Sequence, residues 1–310
     1  MNTLNICKTI SVRSSSTLGA LDWRMRILGV LLGTLLITGS AATSGAPNDE
    51  RAVRSAYAQI EDIRIYFETR GAGEPIFMLH GAFGTSANWA LCADILAKHF
   101  LVITTDARGR GRTGDGDGPI SPGRTAHDLV GLMNHLGIAK AHLVGHSAGS
   151  LTAVHMLIDF PDRVRSATLV GSPLVALASP NAGLQQLRRN MVALGQGQPD
   201  DDELKQFAEQ WRRLAPDPSR FPVAMEKFAR RVDTSYPEAA LASISSPVLV
   251  MKAGRDRLIQ PEAFDRLAAA IKGSKSINFP EGTHGLPRQE SARLAEEIQK
   301  FIDSLESSGK

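Results

Sequence analysis

Cysteines and aromatic residues are scarce in this chain. Its 310 residues include two cysteines, Cys7 and Cys92, and aromatic side chains make up 5%. So few thiols exclude a disulfide scaffold and a cysteine-rich metal site. Charged residues (22%) and apolar residues (43%) are close to the averages for globular proteins, which excludes a disordered or collagen-like chain. No repeat or low-complexity segment occurs after residue 46, so stability must come from a packed hydrophobic core.

The excess of positive charge is small and lies near the N-terminus. The formal net charge is +3 and the pI is about 8.9. Five charged residues within 1–46 account for this excess: Lys8, Arg13, Asp22, Arg24 and Arg26. A basic protein often binds nucleic acid or an anionic surface, but here the rest of the chain is close to neutral. We therefore expect no nucleic-acid partner.

An apolar run that follows two arginines predicts a secretory signal peptide. The run covers residues 27–37, and small residues come directly after it. A basic segment, a short apolar segment and small residues are the order found in signal peptides. Since about 20 apolar residues are needed to span a bilayer, we expect residues 1–46 to be removed and the mature protein to be secreted or periplasmic, without stable membrane insertion. Met25 is an alternative start, and an uncleaved membrane anchor is the alternative to removal.

Strands and helices alternate along most of the chain, which is typical of βαβ units and a parallel sheet. A hairpin comes first, with its turn at Glu61 and Asp62. Further strands are predicted at 76–79, 101–106, 141–144, 167–171, 248–252 and 275–279, and helices at 87–99, 122–136, 148–160, 261–271 and 291–305. Residues 173–246 contain helical stretches but no convincing strand. We predict an α/β core over 47–172 and 247–310, interrupted by a helical cap over 173–246.

The segment Gly145-His146-Ser147-Ala148-Gly149 lies between a predicted strand and a predicted helix. This is the G-x-S-x-G pattern in a strand–turn–helix setting. The turn is so tight that side chains two positions from the serine would clash, so glycine is needed at both ends. Such a turn exposes the Ser147 hydroxyl as a candidate nucleophile and leaves the Ala148 N–H free to bind an anion at a helix N-terminus. A simple Gly/Ser turn is the alternative interpretation.

A serine nucleophile needs a base, and the base needs an acid that orients it. His284 follows the last predicted strand and Asp256 follows the one before it, so both are expected at the same edge of the sheet as Ser147. His146 lies inside the turn but is expected to point away from the serine hydroxyl. The other histidines are on or beside helices or begin a strand. Three rival acids do not directly follow a strand: Asp162, Asp233 and Glu281.

The loop after the strand at 76–79 supplies the second candidate donor for an oxyanion. It contains Gly81, which lets the backbone turn so that an N–H faces the site. We assign this N–H to Ala82, with Phe83 as the alternative. Two backbone donors aimed at a developing oxyanion are commonly the largest electrostatic contribution to this kind of catalysis.

Two neighbouring features are interpreted as structural. His80 is expected to pack under the loop that follows it. The segment Asp106-Ala-Arg108-Gly109-Arg-Gly111 lacks the Gly-Lys-Ser/Thr ending of a phosphate loop. We interpret it as a turn stabilised by Asp106 and Arg108.

Together these segments resemble the α/β-hydrolase superfamily, in its single-domain form with a helical cap. The resemblance covers about residues 55–306 and rests on LHGAFG, DARGRG, GHSAG, GRD and GTHG. It implies an α/β-hydrolase fold with a mostly parallel central sheet flanked by helices. It also implies the roles of nucleophile, acid and base for Ser147, Asp256 and His284, which follow the chain order of such enzymes. Related dehalogenases and epoxide hydrolases have an aspartate as nucleophile, so Ser147 argues against both activities.

These features predict a serine hydrolase that cleaves a small carboxylic ester through an acyl-enzyme on Ser147. No metal or cofactor is expected, since the chain has no His/Cys ligand cluster and no dinucleotide fingerprint. The same residues could cleave a C–C bond, a lactone or an amide, or transfer an acyl group, and a hydrolase-like protein can also be a non-catalytic binding module. Four side chains are expected either to line an acyl pocket or to pack the cap onto the core: Met191, Phe207, Trp211 and Phe228.

Overall fold

The computed structural model describes residues 52–173, 182–199, 202–230, 236 and 238–308. The predicted leader at 1–46 lies outside these ranges, and so does Asp233, one of the rival acids. Within the described ranges, none of the helices combines the length and the apolar character that crossing a bilayer requires.

A single sheet of eight strands forms the centre of the described chain. Its strands are β1 (Arg54–Ile60), β2 (Ile63–Arg70), β3 (Pro75–Leu79), β4 (Leu101–Thr105), β5 (Ala141–His146), β6 (Val164–Val170), β7 (Val248–Ala253) and β8 (Lys275–Phe279). The spatial order is β1-β2-β4-β3-β5-β6-β7-β8. The β1–β2 hairpin pairs antiparallel with β4, and every other pair is parallel. The predicted hairpin and the mostly parallel sheet are therefore confirmed.

Ten α-helices occur in the described ranges. They are α1 (Ala90–Leu96), α2 (Pro122–His135), α3 (Ala148–Asp159), α4 (Ala182–Gly195), α5 (Asp202–Leu214), α6 (Phe221–Ala229), α7 (Glu238–Ala242), α8 (Pro261–Ala270), α9 (Leu286–Gln289) and α10 (Ser291–Ser308). The helix predicted at 87–99 is the least accurate prediction, because residues 86–89 form a tight 3₁₀ turn and α1 ends at Leu96. The side chain of Asn88 accepts the Thr85 N–H at 2.8 Å and so caps the start of that turn.

Alternate residues of the strands pack on opposite faces of the sheet. In β3, Phe77 and Leu79 join a cluster with residues of α2, α3 and α8, whereas Ile76 and Met78 join a second cluster with α1 and α10. Strand β5 is buried along nearly its whole length, as expected for a parallel strand covered on both faces. This burial fixes the position of the turn that follows β5, where the candidate nucleophile lies.

The helices between β6 and β7 have a hydrophobic cluster of their own. Side chains of α4, α5 and α6 form it together with Ile120 of the core. We call α4–α6 the helical layer. Trp211 connects this layer to the loop after β4, since its indole N–H donates to the carbonyl oxygen of Gly109 at 2.9 Å. The loop after β4 is thus held between the sheet and the helical layer.

Candidate active site

The turn between β5 and α3 holds Ser147 in a backbone conformation that side chains rarely adopt. Its φ is 50° and its ψ is −117°, and its N–H donates to the carbonyl oxygen of Val170 at 2.9 Å. A Cβ on Gly149 would lie 2.2 Å from the carbonyl oxygen of Leu79, and one on Gly145 would lie 2.5 Å from that of Gly149. Both glycines are therefore required by close backbone contacts, and the strained conformation is kept by its surroundings.

Three predicted residues come together at the carboxyl ends of β5, β7 and β8. The Oγ of Ser147 lies 2.9 Å from Nε2 of His284. The Nδ1 of His284 lies 2.8 Å from Oδ2 of Asp256. Both distances are normal for hydrogen bonds. Two consecutive hydrogen bonds thus connect Ser147, His284 and Asp256, although Ser147 and His284 lie 137 positions apart in the sequence.

The hydrogen-bond partners of His284 assign its proton to Nδ1. An ionised carboxylate can only accept, so Nδ1–H donates to Asp256 and Nε2 is free to accept from the Ser147 hydroxyl. This is the tautomer in which the imidazole can remove the serine proton.

Asp256 is held rigidly from the side opposite to His284. Its side chain is fully buried, and Oδ1 accepts the N–H groups of Leu258 and Ile259 at 2.9 and 3.0 Å. Oδ2 therefore remains directed at the imidazole. The rival Glu281 instead pairs with Arg255 at the surface, away from this chain of hydrogen bonds.

His146 supports the site in a way that the sequence did not indicate. As predicted, it makes no hydrogen bond to the Ser147 hydroxyl. Its Nε2–H instead donates to the backbone carbonyl oxygen of His284 at 2.7 Å. Burial and the nearby His284 lower the pKa of His146 to about 3, so it stays neutral and keeps this bond at ordinary pH. His146 thus fixes the backbone of His284.

The two predicted oxyanion donors belong to residues that line one cleft. Ala82 and Ala148 line it, and neither N–H has an acceptor among the residues that the structure describes. Phe83, the alternative to Ala82, is absent from the lining and packs its ring on Phe207 of the helical layer, at a centroid distance of 4.8 Å. Two unpaired N–H groups beside a nucleophile can stabilise a negatively charged oxygen.

His80 holds the loop after β3, which carries Ala82, in place, as predicted. We call this loop the Ala82 loop. The Nε2 of buried His80 accepts the Ala107 N–H at 3.0 Å, and its Nδ1–H donates to the carbonyl oxygen of Gly81 at 2.7 Å. Desolvation by burial lowers the pKa of His80, so the ring is a neutral structural group.

Asp106 and Arg108 stabilise the loop after β4. The carboxylate of Asp106 accepts the backbone N–H groups of Ser86 and Arg112 at 2.7 and 2.8 Å. Arg108 is buried and pairs with Asp62 and Asp128. The interpretation of this segment as a stabilised turn is confirmed.

The cleft lies between α2, α3 and the loops after β3 and β4. It encloses about 700 Å³ including its open mouth. Phe228 of the helical layer lines it. Three other aromatic or apolar side chains of that layer are buried in its own cluster instead: Met191, Phe207 and Trp211. Of the four, Phe228 alone is thus placed to contact a ligand in this cleft.

The arrangement of sheet, turn and cleft agrees with a family model. Residues 76–297 match the model of the alpha/beta hydrolase family. The chain belongs to this family. The resemblance seen in the sequence motifs is therefore confirmed, and so is the α/β-hydrolase fold.

Individual relatives of this alpha/beta hydrolase carry names of different hydrolases. RutD of Azorhizobium caulinodans, named as a carbamate hydrolase on a provisional basis, is 35% identical over 114 residues; these make up 37% of this chain and 43% of that protein. The 2-hydroxymuconate semialdehyde hydrolase of Pseudomonas sp. strain CF600 is 28% identical over 265 residues, covering 77% of this chain and 90% of that protein. The chain thus spans less than half of that RutD protein in the match.

A solved structure shows the same fold. A thermophilic esterase from Thermogutta terrifontis superimposes with a TM-score of 0.67 at 22% identity, over 81% of this chain and 98% of the esterase. At this identity the likeness concerns the fold.

Proposed function

We propose that this alpha/beta hydrolase cleaves carboxylic esters through an acyl-enzyme on Ser147. The hydrogen-bonded chain from Ser147 through His284 to Asp256, with distances of 2.9 and 2.8 Å, is the observation that carries the proposal. A serine with this base and this acid is activated for attack on a carbonyl carbon.

In the first half-reaction, His284 removes the hydroxyl proton as the Oγ of Ser147 attacks the ester carbonyl. The electron pair of the carbonyl moves to oxygen, which the N–H groups of Ala82 and Ala148 stabilise. Asp256 stabilises the imidazolium that forms. The C–O bond to the alcohol then breaks, and the alcohol leaves with the proton from Nε2 of His284.

In the second half-reaction, water takes the place of the alcohol. His284 removes a proton from water, and the resulting nucleophile attacks the acyl carbon. The bond to Ser147 breaks, its Oγ recovers the proton from His284, and the carboxylic acid leaves. The turn that gives Ser147 its φ of 50° holds the Oγ within hydrogen-bond distance of His284 for both steps.

The bond that is cleaved is tested by a panel of substrates. We expect hydrolysis of p-nitrophenyl acetate, butyrate and valerate, with slower turnover of a matched amide, lactone, carbamate and β-diketone. The panel extends beyond esters because two relatives are named for the hydrolysis of a carbamate and of a semialdehyde. Faster turnover of the carbamate or the diketone than of every ester would reassign the substrate class, and turnover of none by the folded protein would favour the non-catalytic binding module.

A further inference from the structure

A buried arginine beside the Ala82 loop has no acidic partner. Arg110 is 3% exposed and lines the same cleft as Ala82 and Ala148. Its Nε–H donates to the carbonyl oxygen of Ala82, and its Nη1–H donates to that of Gly109 at 2.7 Å. No carboxylate in the described part of the chain pairs with its guanidinium, and desolvation is the one influence that shifts its pKa.

Other buried charged side chains near the cleft differ from Arg110 in this respect. Each of them pairs with a group of opposite charge: Asp106 with Arg112, Asp128 with Arg108, and Asp115 with Arg220 and Lys227. The two carboxylates that share the cleft lining, Asp106 and Asp128, are therefore already neutralised by their own partners. The positive charge of Arg110 remains uncompensated within the cleft.

An uncompensated buried cation is energetically unfavourable. Burial lowers the pKa of Arg110 to about 9, far below that of an arginine in water. An anion bound in the cleft would offset this cost. Of the five N–H groups of the guanidinium, two donate to the backbone carbonyls of Ala82 and Gly109, and three remain for a ligand.

The surroundings of Arg110 restrict the shape of the anion. The Phe228 ring covers one face of the guanidinium at 4.2 Å, and the N–H bonds of the group point outward in its plane, so a hydrogen-bonding ligand meets it along its edge. A planar carboxylate matches this edge with two parallel hydrogen bonds.

We propose that the substrate carries a carboxylate on the part that enters this cleft, and that Arg110 binds it. The proposal rests on the proposed function, since it assumes that the ester bond is held at Ser147 while the carboxylate reaches Arg110. Ser147 itself does not line the cleft, but its neighbour Ala148 does, and a Cβ on Gly81, another lining residue, would lie 3.2 Å from the Ser147 Cβ. The alternative is that Arg110 only positions the Ala82 loop through its bond to the Ala82 carbonyl, and the experiments below separate the two roles.

The first experiment compares charged and neutral acyl groups of equal length on the wild-type enzyme. The pairs are the p-nitrophenyl hemiesters of succinate, glutarate and adipate against p-nitrophenyl butyrate, valerate and hexanoate. We expect at least one hemiester to exceed its neutral partner in kcat/KM by about 10- to 100-fold, as expected for hydrogen bonds to a charged group. If all three neutral esters are hydrolysed as well as the hemiesters, the proposal is wrong.

The second experiment removes the charge. Arg110→Met should lower kcat/KM for the preferred hemiester about 10- to 100-fold more than for the neutral ester, mainly through KM, and Arg110→Lys should restore part of the preference. Arg165→Met is the matched control: it removes one positive charge from a surface pair with Glu74, outside the lining of the cleft, so its preference should stay that of the wild type. An equal loss for both esters in Arg110→Met would mean that Arg110 only positions the Ala82 loop.

The third experiment measures binding without turnover. Trp211 donates to the same Gly109 carbonyl as Arg110, so its fluorescence should respond to a ligand there. Monomethyl glutarate should produce a saturable change in Ser147→Ala but not in Ser147→Ala/Arg110→Met, and dimethyl glutarate should produce none. Binding without hydrolysis of any ester by the wild type would refute the proposed function alone, whereas hydrolysis without preference and without binding would refute the carboxylate site alone.

Discussion

At the scale of single residues, ion pairs link segments that are far apart in the chain. The side chain of Arg108 is fully buried. It forms ion pairs with Asp62, in the turn of the β1–β2 hairpin, and with Asp128 on α2. The Asp62 carboxylate also accepts the N–H of Asp117 at 2.8 Å. The hairpin, the loop after β4 and α2 are therefore held together by one buried guanidinium.

The Asp62 carboxylate should make the stability of the fold depend on pH. Its hydrogen bonds to Arg108 hold the pKa of Asp62 well below its usual range. A group whose pKa is lower in the folded than in the unfolded state stabilises the fold above its unfolded pKa, near 4, and this contribution is lost as the pH falls below that value. We expect Asp62→Asn to lower the free energy of unfolding by about 1–3 kcal/mol at pH 7.

Urea unfolding followed by circular dichroism at pH 7, 5 and 3.5 measures this effect. The difference between Asp62→Asn and the wild type should shrink at pH 3.5. Glu61→Gln is the matched control, because Glu61 is the neighbouring carboxylate but lies 66% exposed in a surface pair, and it should change stability by less than about 0.5 kcal/mol. A difference for Asp62→Asn that is constant over this pH range would contradict the assignment.

At the scale of elements, the turn between β5 and α3 depends on close backbone contact with the end of β3. Gly149 lies directly against the carbonyl group of Leu79, with no room for a side chain. This contact places the Ala148 N–H at the N-terminus of α3 next to the loop that carries Ala82. The geometry of the oxyanion donors is thus a consequence of how α3 packs on the sheet.

Gly149→Ala should therefore impair catalysis more than folding. The added Cβ must push α3 away from β3, and displacements of about 1 Å at a catalytic group can cost about 100-fold in rate. We expect a loss of about 100-fold in kcat/KM for an ester, with a decrease of about 1–3 kcal/mol in stability from overpacking.

The control for this variant is Gly114→Ala, since a Cβ on Gly114 meets nothing within 4 Å. It should keep wild-type activity and stability. Wild-type activity in a folded Gly149→Ala protein would show that the contact with Leu79 does not determine the catalytic geometry. Steady-state kinetics and thermal unfolding of the two variants give both quantities.

Much of this site was predictable because Ser147, Asp256 and His284 lie within five residues of the carboxyl end of a strand. Ser147, Asp256 and His284 come after β5, β7 and β8, and parallel strands bring their carboxyl ends to one edge of the sheet. The glycines of G-x-S-x-G were equally predictable, since their spacing reflects steric limits within one turn. The order of strands and loops along the chain was therefore enough to predict these candidate catalytic residues.

Other features could not be read from the sequence, because they depend on contacts between distant segments. The bond of His146 to the His284 carbonyl joins residues 138 positions apart. The lack of an acidic partner for Arg110 could not be predicted either. Five other charged residues lie within 106–117, and the sequence does not show which of them pair with one another. The short helices α6 and α7 were missed individually for a related reason, as tertiary packing rather than periodicity stabilises helices of nine and five residues.

At the scale of the whole molecule, the sheet holds a fixed site and the helical layer covers part of the adjoining cleft. The layer has its own hydrophobic cluster and contacts the cleft through Phe228. Under the two proposals, the reaction takes place on residues of the core, whereas the loop after β4 and this layer select the substrate.

The measurement that tests the central claim most directly is covalent labelling of the nucleophile. The folded protein is treated with a fluorophosphonate, which reacts with activated serines, and the adduct is located by mass spectrometry of the intact chain and of its peptides. We predict one adduct per chain on Ser147, none in Ser147→Ala, and an unchanged adduct in Ser246→Ala, whose hydroxyl donates to the Val164 carbonyl. A wild-type protein that stays unlabelled while folded, or that carries the adduct on another residue, would contradict the proposed mechanism.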